Sequence, residues 1–152
     1  MKIKNFFKLL LSLFGNKSDQ TVDNSPTVNL NKLCIIGVGG GTNIVDEIYK
    51  MNDTPTFIHM NSDHNSLKEK QSKYKILLGC KEKGGLGCGG QVKCGEGLVN
   101  DEVKDRLKEL TKSLKTVYVV SSLGGGVGSG ATPIIVEYLK SLPIQVIVLV
   151  TV

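Results

Sequence analysis

Apolar and polar residues fall in blocks along this chain, and the period of each block decides what it can form. KLCIIGV (32–38) is a continuous apolar run that stops at glycines, the pattern of a strand buried on both faces. TNIVDEIYKM (42–51) places Ile44, Val45, Ile48 and Met51 at helical spacing. TFIHMNSD (56–63) reads as a second strand, HNSLKEKQ (64–71) as a short polar helix, and YKILLG (74–79) as a third strand. A glycine-rich loop, KEKGGLGCGGQVKCGEG (81–97), comes next. Val99, Val103, Leu107, Leu110 and Leu114 then mark an amphipathic helix, clearest over 100–115. KTVYVVSS (115–122) is a fourth strand, ATPIIVEYLKSL (131–142) a helix, and PIQVIVLVTV (143–152) a fifth strand. Apolar strands separated by helices predict an α/β fold, a three-layer, doubly wound and mainly parallel sheet.

The first 31 residues follow different rules. MKIKNFFKLLLSLFG (1–15) puts Ile3, Phe6, Phe7, Leu10, Leu13 and Phe14 on one helical face, with Lys4, Asn5, Lys8 and Ser12 opposite. It is too short, and interrupted by Lys8, to span a membrane. Three readings of this leader stay open: a signal peptide, although no small-residue cleavage site follows, a helix on a membrane surface, or a helix docked on protein. Residues 16–31 form a polar linker, so the expected folded domain is 32–152.

Composition adds limits. The chain has 152 residues, 40% of them hydrophobic and 22% charged, which suits one globular domain. The net charge of +5 invites a nucleic-acid reading, yet Lys2, Lys4, Lys8 and Lys17 supply most of that excess. No basic stripe with interleaved aromatics follows, so no nucleic-acid partner is expected. Cys34, Cys80, Cys88 and Cys94 lack paired metal-ligand spacing. They are expected to be reduced thiols of a cytoplasmic protein, with Cys34 filling a buried strand and no metal held by the chain.

Candidate chemistry gathers where strands end. The strand ends carry GVGGGTN (37–43), NSD (61–63), GGLGCGG (84–90) and LGGGVGSG (123–130). In doubly wound sheets ligands bind beyond the carboxyl ends of the strands, at the point where the strand order reverses. Glycines let backbone N–H groups approach phosphate oxygens, and Ser129 adds a hydroxyl, so the 124–130 turn suits a di- or triphosphate. A Walker A loop is excluded, because neither glycine loop supplies its lysine. A dinucleotide-binding domain of an oxidoreductase is the rival reading, since Gly37-Val38-Gly39 begins that fingerprint. That rival leaves GGGVGSG unexplained. A non-catalytic module that binds filaments is a third reading.

Together these motifs resemble the tubulin and FtsZ superfamily, and its FtsZ branch above all. GGGVGSG is similar to the family signature GGGTGTG, IIGVGGGTN to its first loop, MNSD to its second, and GLGCGGQ to its third. The resemblance implies a GTP-binding domain of a cytoskeletal GTPase that forms the septal filaments of bacterial cell division. On that resemblance, Gly39, Gly40, Gly41, Thr42 and Asn43 would contact the nucleotide, and Asn61, Ser62 and Asp63 would line the second loop. Gly87, Cys88, Gly89 and Gly90 would lie near the terminal phosphate, and Gly125, Gly126, Val127, Gly128 and Ser129 would wrap the α- and β-phosphates. GTP or GDP, with Mg2+ held through phosphates and water, is the implied cofactor set. Like filaments are the implied partners, at the division site; a membrane surface reached through residues 1–15 is an expectation from the amphipathic leader, and unusual for the family.

Departures from the pattern also carry expectations. Val127 stands where the signature has a threonine hydroxyl, and a lost hydrogen bond to a charged group costs about 1.5–3 kcal/mol. Weakened binding is expected. The first loop is one residue short, and Gln91-Val92 replaces Asn-Pro in the third. The base-clamping residues and water-activating acids of the family fall after Val152, so no catalytic residue is assigned and hydrolysis is expected to need more than this chain. The chain reads as the front part of a longer protein or the product of a truncated gene. VIVLVTV is then expected as an exposed edge strand.

Overall fold

The structure is a computed structural model that describes residues 29–79 and 87–152. The amphipathic leader, residues 16–28 of the linker and the opening of the third glycine loop (80–86) lie outside the described residues. Asn31–Val152 forms one compact unit.

Five strands form one sheet: β1 (Leu33–Val38), β2 (Thr56–Asn61), β3 (Tyr74–Leu77), β4 (Thr116–Ser122) and β5 (Gln145–Thr151). Their order is β3-β2-β1-β4-β5, and every neighbouring pair is parallel. The helices are α1 (Gly41–Met51), α2 (His64–Lys68), α3 (Val92–Glu96), α4 (Asp101–Thr111) and α5 (Gly126–Lys140). All six residues of central β1 are buried, which is why its sequence is apolar without alternation. Cys34, Ile36 and Val38 point to the face where Val103 and Leu107 of α4 and Ala131, Ile135 and Leu139 of α5 complete the main core. Ile35 lies on the other face, where Val45 and Ile48 of α1 are buried and Tyr49 meets Phe57 edge-on at 5.2 Å between centroids. The three-layer, doubly wound expectation is therefore met. β5 is an edge strand, with Val148 and Val150 exposed.

Two expectations about local structure are corrected. α5 begins at Gly126, five residues before the expected start, so the last five residues of GGGVGSG are helix rather than turn. Glycine's low helix propensity favours a turn there, and close packing of Gly126, Gly128 and Gly130 on neighbouring backbone overrides it. The segment expected to be all loop over 81–97 holds the short helix α3.

Candidate functional site

The strand order reverses between β1 and β4, since the chain builds outward to β3 before crossing back to β4. The ends of these two central strands therefore open a crevice. The first loop enters it from β1. Gly39 adopts φ +58°, and its N–H donates to the Met60 carbonyl at 2.9 Å, which ties this loop to the end of β2. Thr42 is buried, and its hydroxyl donates to the Gly39 carbonyl at 2.7 Å, so this candidate residue shapes the turn from inside. Asn43 faces outward and accepts a hydrogen bond from the Lys70 ammonium at 2.6 Å.

The second loop is held by its own side chains. Asn61 Oδ1 accepts from the Ser62 N–H at 2.8 Å, and Asp63 caps α2 by accepting from the N–H groups of Asn65 and Ser66 at 2.9 and 3.2 Å. Ser62 is buried, with no hydrogen-bond partner for its hydroxyl. A Cβ on Gly87 would sit 4.0 Å from that hydroxyl, which brings the third loop beside the second.

The fourth loop shows what its glycines are for. A Cβ on Gly126 would come within 2.7 Å of the Gln91 backbone, and one on Gly130 would strike the backbone of Val92 and Glu96. These two residues are four apart and share the face that receives α3. A Cβ on Gly128 would strike the Ser122 carbonyl at the end of β4, and one on Gly39 would lie 2.8 Å from the Gly128 nitrogen. Gly124 and Gly125 differ, because a Cβ on either meets nothing within 4 Å. Three of the five glycines are thus demanded by close backbone packing and two face open space.

The open pair borders the N-terminus of α5. Gly125 caps the helix in an extended conformation without a side-chain hydrogen bond, and Ser129 is the first residue whose N–H returns to the helix, to the Gly125 carbonyl at 3.0 Å. That leaves the N–H groups of Gly126, Val127 and Gly128 as the helix's open donors, where its dipole favours an anion. The Ser129 hydroxyl donates to the Leu123 carbonyl, so it braces the turn and keeps only acceptor capacity. Behind the cradle, Thr132 donates to Ser121 Oγ at 2.7 Å and Ser121 to the Gly128 carbonyl at 3.3 Å, fastening helix to strand. Gly89 and Gly90 take φ +52° and +79°, with open space where side chains would stand.

The first and third expected loops therefore reach the fourth at the N-terminus of α5, and the second lies beside the first and the third. Two features of the site could not be read in advance. Lys70, 27 residues from Asn43, brings a positive charge to the first loop. The second is a correction: Cys88 and Cys94, expected as thiols, are joined by a disulfide. Gly89 and Gly90 turn the chain back, the Gln91 N–H bonds the Cys88 carbonyl at 2.9 Å, and the first turn of α3 brings the two Cα atoms to 5.6 Å. That separation lies in the normal bridging range, and a spacing of six residues gave no sign of it. A cavity of about 710 Å³ lies elsewhere, between β3 and α4, lined by Lys75, Leu77, Asn100 and Arg106, and shares no residue with the four loops.

The model of the Tubulin/FtsZ family GTPase domain matches residues 32–152. The chain belongs to the tubulin/FtsZ family. Cell division protein FtsZ of Helicobacter pylori strain J99 is 39% identical over 123 residues, covering 79% of this chain and 32% of that protein. Among solved structures, the empty FtsZ dimer of M. jannaschii superposes with a TM-score of 0.73 at 27% identity, over 97% of this chain and 40% of that one. The GDP-bound CetZ1 monomer of Haloferax volcanii gives 0.70 at 26% identity, over 78% and 41%. The chain spans about a third of the length of the curated relatives it matches. The family match thus spans the whole 32–152 region.

Proposed function

We propose that this chain is the GTP-binding part of an FtsZ-like filament protein of bacterial cell division. The observation that carries the reading is the N-terminus of α5. Three open N–H donors there border the unfilled space beside Gly124 and Gly125. The helix dipole and those donors would bind the α- and β-phosphates of GTP or GDP. The Gly39–Gly41 turn, pressed on β4 and α5, would close one side, and Gly89 and Gly90 the side nearest the terminal phosphate. Lys70, held at Asn43, adds positive charge next to the first loop.

Among the described residues no group of three His, Cys, Asp or Glu could hold a metal ion. A Mg2+ ion fits this site only through phosphates and water, and when bound it would neutralise phosphate charge. The four loops contain one acid, Asp63, whose carboxylate is engaged as the α2 cap. We therefore assign the chain binding and orientation of nucleotide, and leave activation of water to residues outside these loops. Cytoplasmic filaments of like chains are the proposed partners, at the division site.

Competition titration of the 152-residue chain tests this reading. Fluorescent GDP should bind, and GTP should displace it better than ATP or NAD does. Gly125→Val, whose Cβ meets no protein atom within 4 Å and fills space next to the donors, should weaken binding at least about tenfold, or about 1.4 kcal/mol. Displacement by NAD alone would favour the oxidoreductase reading, and a folded chain that binds no nucleotide would refute both.

A further inference from the structure

The Cys88–Cys94 bridge links two parts of the site that otherwise touch only through backbone. Cys88 sits between Gly87 and Gly89-Gly90, three glycines at positive φ, in the loop that reaches α5. Cys94 is in α3, which is seated on α5 by bare backbone: a Cβ on Gly95 would lie 3.0 Å from Gly130 Cα and would strike the Gly126 carbonyl. The bridge therefore fixes the position of the glycine loop relative to the N-terminus of α5. Without it, Cys88 is tied to the start of α3 by the Gln91 N–H bond to its carbonyl at 2.9 Å, across residues with the freest backbone in the chain.

We infer that Cys88 and Cys94 are a reversible oxidation site, a dithiol whose disulfide form pins the glycine loop against α5 and raises affinity for a nucleoside triphosphate. The inference rests on the nucleotide-binding reading above. Cys88 is 8% exposed and Cys94 is half-buried, so Cys94 is the sulfur open to attack. With a low-molecular-weight disulfide such as glutathione disulfide as oxidant, the Cys94 thiolate attacks one of its sulfurs and releases a first glutathione. The Cys88 thiolate then attacks Cys94 Sγ in the mixed disulfide, forming the Cys88–Cys94 bond and releasing a second glutathione. The two thiol protons pass to the two glutathiones; the protein loses two electrons and the oxidant gains them. Excess thiol runs the same steps backwards. In a reducing compartment such a bond forms transiently, as redox-sensing disulfides do. The direction of the effect follows from ordering: the bridged loop is arranged before the ligand arrives, so less of the binding free energy goes into fixing it.

The test uses the 152-residue chain, equilibrated with either glutathione disulfide or excess dithiothreitol, with free thiols counted and fluorescent GTP and GDP titrated. The oxidised form should bind GTP about fivefold to tenfold more tightly than the reduced form, the scale of ordering a short loop, with a smaller change for GDP. Cys94→Ser should bind like the reduced protein under both conditions, and Cys80→Ser should keep the full response. Equal GTP affinity of the two forms, with the bridge verified by thiol count, would overturn the inference and leave the nucleotide reading standing. A response that survives in Cys94→Ser would also overturn it, by assigning the effect to another cysteine. Failure of both forms to bind any nucleotide would instead refute the underlying reading, and the inference with it.

Discussion

Glycine at 125 and glycine at 128 do different work three positions apart. Gly128 is pressed on the Ser122 carbonyl, so Gly128→Ala must push β4 or α5 away, and a loss of at least about 3 kcal/mol is expected in urea unfolding. The Cβ of Gly125→Val meets nothing within 4 Å, and the change should cost about 1 kcal/mol, the cap preference. Sequence could count these glycines but not sort them, because the sorting depends on Ser122 and Gln91, which reach the loop only in the fold. His59 is a second buried particular. Its Nδ1 lies 2.5 Å from Ser72 Oγ, its Nε2 has no hydrogen-bond partner, and Asp46 is 3.9 Å away. Burial pushes its pKa down to about 4, against the pull of Asp46. Unfolding returns it to about 6.5, so the unfolded chain binds the proton first. The stability that neutral His59 contributes is complete above pH 6.5 and is lost as pH falls towards 4, by up to about 3 kcal/mol. Urea unfolding from pH 7.5 to 4 checks this; His59→Gln should flatten part of the slope, and an unchanged slope would contradict the assignment.

At the scale of elements, the contact between α3 and α5 explains where sequence reading succeeded and failed. Strands β1, β2 and β4 were legible because burial leaves an apolar run, β5 because its run is equally apolar although the structure leaves it largely exposed, and the loops because they follow those runs. The start of α5 was not legible, since Gly126, Val127, Gly128, Ser129 and Gly130 read locally as a turn, and only the docking of α3 and β4 makes them helix. α3 was missed for the same reason: VKCGE has no apolar period, and its place is set by Gly95 lying against Gly126 and Gly130. Gly95→Ala and Gly130→Ala should each lose about 2 kcal/mol or more by forcing these helices apart. Because both act on one interface, the double variant should lose at least about 1 kcal/mol less than the sum. Additive losses would mean that the helices do not meet as described.

At the scale of the whole molecule, the sheet places its reversal point between β1 and β4, and the three glycine loops meet beside it, with the Asn61–Asp63 loop next to them. The site is thus distributed: no loop alone resembles more than a generic turn, and the family signature gains meaning from the neighbours the sheet gives it. The opposite edge is plain. β5 offers Val148 and Val150 to solvent, an apolar edge suited to further pairing. On this placement and on membership of the tubulin/FtsZ family, we propose that the N-terminus of α5 is the phosphate cradle. A backbone amide spectrum of the isotopically labelled chain, titrated with GDP, tests this residue by residue. The amides of Gly125, Gly126, Val127 and Gly128 should move furthest, with smaller shifts at Gly39 to Gly41, Gly89 and Gly90. Shifts absent from Gly125 to Gly128, or gathered instead around Lys75 and Arg106 in the cavity between β3 and α4, would contradict it.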